Sequence, residues 1–229
     1  MATTLRGSHT NSATTGTNAT VTITASVGDV VIVSVHFNGQ TTIVDNNGAT
    51  PWTEDINDYK PNPTGGHTLS IFSRRFQTGD PTSLSFTGGA SGRWSVIAHV
   101  WQNPNASAIY DVAPSTTNAA NTDDNASGSI DAPTITTTTA NAIHVVHGYW
   151  DTAATGTIST PSGYTNIAQV HNEPQASSYK VITSAGATGA QTYSNTEVGS
   201  RIALSYAIKD IGTTANIVVS WRSMRGIGQ

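Results

Sequence analysis

The chain contains no cysteine, which excludes disulfides, thiolate metal sites and a cysteine nucleophile. Charge is scarce as well. Asp, Glu, Lys and Arg make up 10% of its 229 residues, against roughly 25% in an ordinary soluble domain, and the net charge is -4. The few Lys and Arg are dispersed, and with a pI near 5.9 they make no stripe suited to nucleic acid. Long apolar runs are missing too, none approaching the ~18 residues that cross a bilayer, so no membrane partner is expected. The opening MATTLRGSHTNSATTG lacks the apolar centre of a secretory signal, which predicts synthesis in a cytoplasm.

What is present is threonine, about one residue in six, together with clusters of Val, Ile, Trp and Tyr that a disordered chain would not carry. Branching at Cβ restricts χ1 in a helix and suits a pleated strand, and Thr can face water where Val would stick. No segment sustains a 3.6-residue stripe; the period is two. Strands are predicted over 19–26, 29–38, 68–76, 83–87 and 93–102, separated by turn signals such as DNNGATP, KPNPTGG and TGDP. The expected fold class is all-β, an antiparallel β-sandwich or jelly-roll-like arrangement.

The second half echoes the first. An offset of 112 residues carries Val21 onto Pro133, TIT at 22–24 onto TIT at 134–136, and Trp52 onto Tyr164. The same offset matches Val31, Val33, Val35 and Phe37 with Ile143, Val145, His147 and Tyr149, as though one strand face were repeated. GRWSVIAHVWQ and SRIALSYAIKD match at an offset of 108. Two tandem pseudo-repeats are therefore expected, at residues 1–112 and 113–212, with a C-terminal strand and arm at 213–229. The polar stretch APSTTNAANTDDNASG at 113–128 reads as a linker or a long surface loop.

Candidate chemistry is thin. His144 and His147 stand three apart, which on a strand sends them to opposite faces, and His36, His99 and His171 can meet only through the fold. The cluster WTEDINDY, with Glu54, Asp55 and Asp58, has hard oxygens for Ca²⁺ or a carboxylate pair but lacks the spacing of a calcium loop. Asp123 and Asp124 are adjacent and diverge on an extended chain. There is no Gly-x-Ser-x-Gly elbow, Walker loop or dinucleotide fingerprint, so no catalytic residue, cofactor or metal is assigned. Aromatics are the remaining lead. Trp101, Trp150 and Tyr149 lie near strand ends, where an exposed ring would stack on a sugar or anchor a protein, while Trp52, Trp94 and Tyr164 read as core or turn residues. In the tail, Ile217, Val219 and Trp221 alternate and are followed by Arg222 and Arg225. With Trp101 and Trp150, these five are the candidate partner-binding residues.

Several turns and strands carry a resemblance: VGD at 27–29, TPW at 50–52, RRFQTGDP at 74–81, RWSVIAHVW followed by PNASAIYDVA at 93–113, and PSGYT at 161–165. Together they resemble a family of β-rich proteins common in bacteriophage genomes, over most of residues 21–210. The resemblance implies a non-enzymatic virion structural protein on the particle exterior, most often a head decoration or cement protein. Its partners would be the major capsid protein or other virion subunits, in a homo-oligomer of three copies. The alternative is a tail-fibre or tail-tip module that binds a surface carbohydrate or receptor. The family's motifs name no catalytic or binding residues.

Overall fold

The computed structural model describes residues 2–39, 41–48, 51–59, 66–122, 128–152 and 156–211. Its first eight strands are β1 (Thr4–Ala13), β2 (Asn18–Thr22), β3 (Val30–Asn38), β4 (Ile43–Asp45), β5 (Thr53–Tyr59), β6 (His67–Arg75), β7 (Ser83–Gly88) and β8 (Trp94–Gln102). Then come β9 (Tyr110–Val112), β10 (Ala119–Thr122), β11 (Gly128–Ala132), β12 (Thr136–Thr137) and β13 (Ala142–Asp151). The last are β14 (Thr165–Val170), β15 (Gln175–Ile182), β16 (Gly186–Ala187), β17 (Gln191–Asn195) and β18 (Ser200–Ile208). No α-helix occurs among the described residues, and every strand pairing is antiparallel.

Two large sheets form the middle of the molecule. One has the order β1-β8-β3-β6-β5, the other β10-β18-β13-β15-β14 with β9 also on β18. Smaller sheets, β2-β7-β4 on one side and the ribbons β11-β17 and β12-β16 on the other, complete the strand inventory. Three apolar clusters show how these stack. Val31, Val33, Val35, Phe37, Val96 and Ala98 pack against Ala19, Val21, Leu84 and Phe86 of the three-stranded sheet. Val146, Trp150 and Ala203 pack against Ile130 and Tyr193 of the β11–β17 ribbon. Between the large sheets lies a central core of Val30, Ile32, Leu69, Ile71 and Trp101 facing Ile143, Val145, Tyr149, Ile202, Leu204, Tyr206 and Ile208.

The large sheets are therefore covered on both faces. All of β3 but Asn38 and all of β13 but Asp151 is buried. This corrects the strand-face correspondence expected from the 112-residue offset. Val31, Val33, Val35 and Phe37 face their own outer sheet, whereas Ile143, Val145 and Tyr149 face the opposite large sheet. A strand buried on both sides carries apolar residues at odd and even positions alike, so a one-residue slip leaves the pattern intact.

The five strands expected from the sequence match β2, β3, β6, β7 and β8 closely. β1 and β5 are not among them, because TLRGSHTNSA and TEDINDY are edge strands whose polar residues face solvent or turns. The stretch read as a linker or loop at 113–128 instead holds β10, which pairs with β18 from Ala119↔Leu204 to Thr122↔Arg201. β9 also belongs to the second large sheet, so the chain crosses between Gln102 and Tyr110, earlier than the boundary expected at 112/113.

The few charges are used at turns. Asp29 accepts from the Ser26 amide at 2.7 Å and from Arg6 Nε at 2.6 Å, fixing the entry to β3. Asp80 takes both Arg74 Nε and Nη2 at 2.7 Å and the Gln77 amide at 2.8 Å. Asn105 Oδ1 accepts from the amide of Ser107 at 3.0 Å, a side-chain turn that replaces a backbone one.

Candidate functional site

Three regions hold polar groups in organised form: the outer sheet faces, an acidic cleft, and a polar seam buried in the central layer. On the outer face of β2, Asn18, Thr20 and Thr22 are exposed, and they sit opposite Thr87, Ser85 and Ser83 of β7. Thr87 Oγ1 donates to Asn18 Oδ1 at 2.7 Å and accepts from Asn46 Nδ2, so neighbouring side chains hold one another in place. On the far side of the molecule Ser129, Asp131, Thr192 and Ser194 are exposed on β11 and β17, with Thr192 Oγ1 donating to Asp131 at 2.6 Å. Both faces are hydroxyl-rich and almost free of charge.

A cleft of about 380 Å³ is lined in part by Asp45, Trp52, Glu54, Asn57 and Asp58. Two of its carboxylates are committed to the backbone. Asp45 accepts from the Asn47 and Trp52 amides at 2.9 and 2.7 Å, and Asp58 accepts from the Ile43 amide at 2.7 Å. Burial first, and then Asp58 and Asp45, raise the Glu54 carboxyl above its ordinary value. Asp55 points the other way, as neighbours on an extended chain must, and accepts from Tyr110 Oη at 2.7 Å. Among the described residues no group of three or more His, Asp or Glu is placed to hold a metal ion.

The seam is the most organised of the three. Ser34 on β3 shares a hydrogen bond of 2.7 Å with Tyr149 Oη on β13 and accepts from Gln175 Nε2 on β15 at 2.9 Å. His99 on β8 meets Ser177 of β15 at 2.8 Å and stacks on His147 of β13, ring centroids 5.2 Å apart. His147 reaches Tyr206 Oη at 3.2 Å. Nearer the rim, His36 and His67 share a bond of 3.2 Å, and His36 Nδ1 faces Glu173 Oε2 at 3.8 Å. The other Glu173 oxygen takes Arg93 Nε, whose Nη2 donates to Asp151 at 3.2 Å, and Asp151 also accepts from Asn38. These bonds tie β3 and β8 to β13 and β15, with His67 of β6 joined through His36.

Burial sets the protonation of these groups. Desolvation takes His99 down to about 3, and holds His147 and His36 well below the ordinary 6.5; His99 adds to the effect at His147, and His67 and Arg93 at His36. His144 lies on the opposite face of β13 from His147, as its spacing required, bonded to Tyr164 Oη at 2.6 Å and lowered to about 4 by burial and then Lys180. Burial raises Glu173 to about 8; Asp151 pushes in the same direction and Arg93 opposes. His171 is exposed and stands apart from the seam.

The geometry corrects the aromatic lead. Trp101 and Trp150 are both 0% exposed, Trp101 in the central core and Trp150 under the β11–β17 ribbon, so neither ring is presented to a sugar or partner. Tyr149 is buried beside them, because both faces of β13 are covered. Trp52, Trp94 and Tyr164 pack in or against the outer cores, as core or turn residues should. Ile217, Val219, Trp221, Arg222 and Arg225 lie outside the described residues.

Sequence reasoning singled out neither Arg93, Glu173, Gln175, His67 nor Ser34. Ser34 and His36 did leave a trace, as alternate polar residues inside VVIVSVHF. Removing Ser34 Oγ by Ser34→Ala strands the Tyr149 hydroxyl and the Gln175 amide in the interior. Urea unfolding is expected to show a loss of about 1–3 kcal/mol; a change below 0.5 kcal/mol would mean that water replaces the hydroxyl (approximately the scale of surface substitutions).

The bonds of the seam specify which sheet packs on which, although His36 Nδ1, His99 Nδ1, His147 Nδ1 and Glu173 Oε2 are buried without a hydrogen-bond partner. No family model, curated protein or solved structure matches this chain.

Proposed function

We propose that this chain is a non-enzymatic structural protein of a bacteriophage particle, a head decoration or cement protein on the particle exterior. The observation that carries the reading is the pair of hydroxyl-rich outer faces, Asn18, Thr20 and Thr22 on one side and Ser129, Thr192 and Ser194 on the other, held on a body tied together internally. Little charge has to be desolvated when such a face lies against another protein, and a rigid body loses little entropy in doing so. The resemblance of its turn motifs to those of β-rich phage proteins points the same way. Its partners in this reading are the major capsid protein and further copies of itself, three around a symmetry axis. Binding only the assembled shell stabilises that shell by mass action, and repetition over the particle multiplies weak contacts.

The two halves are, in this proposal, copies of one β-sandwich. The order β8-β3-β6-β5 in the first half corresponds to β18-β13-β15-β14 in the second.

The test is whether purified protein rebinds capsids stripped of it and raises their melting temperature. Thr20→Lys with Thr22→Lys on one outer face, and Thr192→Lys with Ser194→Lys on the other, should weaken rebinding from whichever face docks while leaving the protein's own melting unchanged. Capture by host-surface glycans on an array with no capsid affinity would replace this reading with the tail-fibre or tail-tip one.

A further inference from the structure

The buried histidines are concentrated in one layer. Toward the first outer sheet β3 and β8 turn Val31, Val33, Val35, Phe37, Val96 and Ala98, all apolar. Toward each other the large sheets turn His36, His99 and His147. His99 and His147 stack across that layer. Each is bonded through Nε2, to Ser177 Oγ and Tyr206 Oη respectively, and each has a buried Nδ1 without a partner. A charged imidazole carries N–H groups on both nitrogens, so a proton gained by either ring leaves a buried donor with no acceptor. Among the described residues no carboxylate is bonded to either ring; around them stand Trp101, Tyr149 and Tyr206, with Tyr110 and then Asp55 beyond Tyr206.

The two ends of the layer are closed differently. At one end the chain itself crosses between the halves through residues 103–109, where the Lys209 amide donates to Ile109 O at 2.9 Å and the Thr3 amide to Asp210 Oδ1 at 2.8 Å. At the other end the pairings Phe37↔Trp94 and Tyr149↔Gln175 bring the limits of β3, β8, β13 and β15 together. Side chains alone close that end. Arg93 holds Glu173 and Asp151, Asn38 holds Asp151, and His36, bonded to His67 and 5.7 Å from the Tyr149 ring, faces Glu173. The Arg93 side chain is 29% exposed, so water reaches this clasp. Along the β1–β14 edge, Ser8 Oγ donates to Ile167 O at 2.9 Å.

We propose that the fold contains an acid-opened hinge: charging of the His99–His147 stack parts the two large sheets from the Arg93 end, pivoting on residues 103–109, while each sheet stays packed on its own outer layer. Two like charges with ring centroids 5.2 Å apart repel strongly in a medium of low polarity, and water admitted between the sheets supplies the acceptor that each Nδ1 lacks. His36 adds a charge at the clasp, beside the Arg93 guanidinium, and Glu173, which keeps its proton in acid, offers no counter-charge. Burial holds His99 at about 3 and His147 well below 6.5, which puts the opening in acid and not near neutrality. On the outer side of β13 His144 also gains a proton, but its partner Tyr164 is half-buried, at an edge where water solvates the charge. Opening uncovers Ile32, Ile71, Ile143 and Leu204, an apolar face hidden in the neutral protein. None of this depends on what the outer faces dock against.

The experiment uses the full chain labelled with 5-fluorotryptophan and followed by fluorine NMR as the pH is lowered. The tryptophans report the layers separately: Trp101 the central core, Trp52 and Trp94 the first outer core, Trp150 the second. Trp52→Phe, Trp94→Phe, Trp150→Phe and Trp221→Phe assign four resonances and leave Trp101 by difference. Trp101 is expected to leave its native position at a higher pH than Trp52, Trp94 and Trp150. A change at any of those three that coincides with Trp101 or precedes it overturns the proposal, because the sheets would then not part as packed bodies. His147→Gln keeps an amide donor for Tyr206 Oη and has no charge to gain. It is expected to lower the Trp101 midpoint by ~0.5 pH unit or more while leaving that of Trp52 in place. An unmoved Trp101 midpoint is equally fatal, and if the variant does not fold, the titration of the native chain still decides.

Discussion

Trp101→Ala is expected to lower the free energy of unfolding by about 3–5 kcal/mol, the cost of emptying a buried large aromatic site. Trp101 sits opposite Val30 in the β3–β8 ladder and its ring stands edge-on to Tyr179 of β15 at 5.6 Å, so it spans the two large sheets. With no exposed surface it touches protein on every side, and the layers cannot collapse on the void because each large sheet is held from behind by a second core. Against a total stability of roughly 5–15 kcal/mol this is a large fraction. Urea unfolding monitored by circular dichroism measures it. A surface platform would behave differently, shifting stability by no more than about 0.5 kcal/mol. A near-neutral Trp101→Ala would therefore refute the packing of the central layer and restore the exposed-ring reading.

The second large effect is a stability that falls on both sides of an optimum at about pH 7. Glu173 supplies the alkaline side. Its carboxyl is raised from 4.5 to about 8 because it is buried, so the folded protein holds a proton that the unfolded chain releases. Its stabilising contribution is whole below the unfolded value and is lost as pH rises toward 8, roughly 5 kcal/mol across that window at about 1.4 kcal/mol per pH unit. The histidines supply the acid side with the opposite sign. His99, held at about 3, and His144, at about 4, stay neutral in the fold while the unfolded chain takes up protons below 6.5. His36 and His147 act in the same direction, so below 6.5 the imidazoles together outweigh Glu173. At 6.5 half of the unfolded chain's imidazoles still carry a proton, so the opposing slopes cancel at about pH 7; above it Glu173 withdraws about 1 kcal/mol by pH 8, partly offset by the last imidazoles to deprotonate.

Glu173→Gln separates the two sides. The amide oxygen can still accept from Arg93 Nε, while no proton is left to lose. Calorimetric melting of the variant should rise slightly above about pH 7 and level off where that of the native protein falls, and drop more steeply on the acid side, where Glu173 no longer offsets the imidazoles. An alkaline slope as steep as that of the native protein would exclude Glu173 as its origin.

Much of the fold could be read from period-two alternation, because a β-branched residue at every second position suits only a pleated strand. β2, β3, β6, β7 and β8 were legible on that basis, as was the divergence of His144 from His147 on β13. β1 was not, since an edge strand such as TLRGSHTNSA needs no apolar alternation when only β8 pairs with it. Nor was the candidate site. Arg93, Asp151 and Glu173 are far apart in the chain, and each taken alone reads as an ordinary surface charge; only the approach of β8 to the β13–β15 pair makes them one cluster.

The sequence by itself determined an all-β chain with a strand framework, its turns, and its lack of thiol, charge and helix, because these depend on local sterics and composition. Tertiary structure alone decided which face of each strand lies inward. It placed both large sheets between other layers, so that Trp101 and Trp150, near strand ends in the chain, became the largest fully buried side chains among the described residues. It also made neutral interior links of His36, His99 and His147, since a side chain's solvation, and with it its charge, depends on what packs over it and not on its neighbours in sequence.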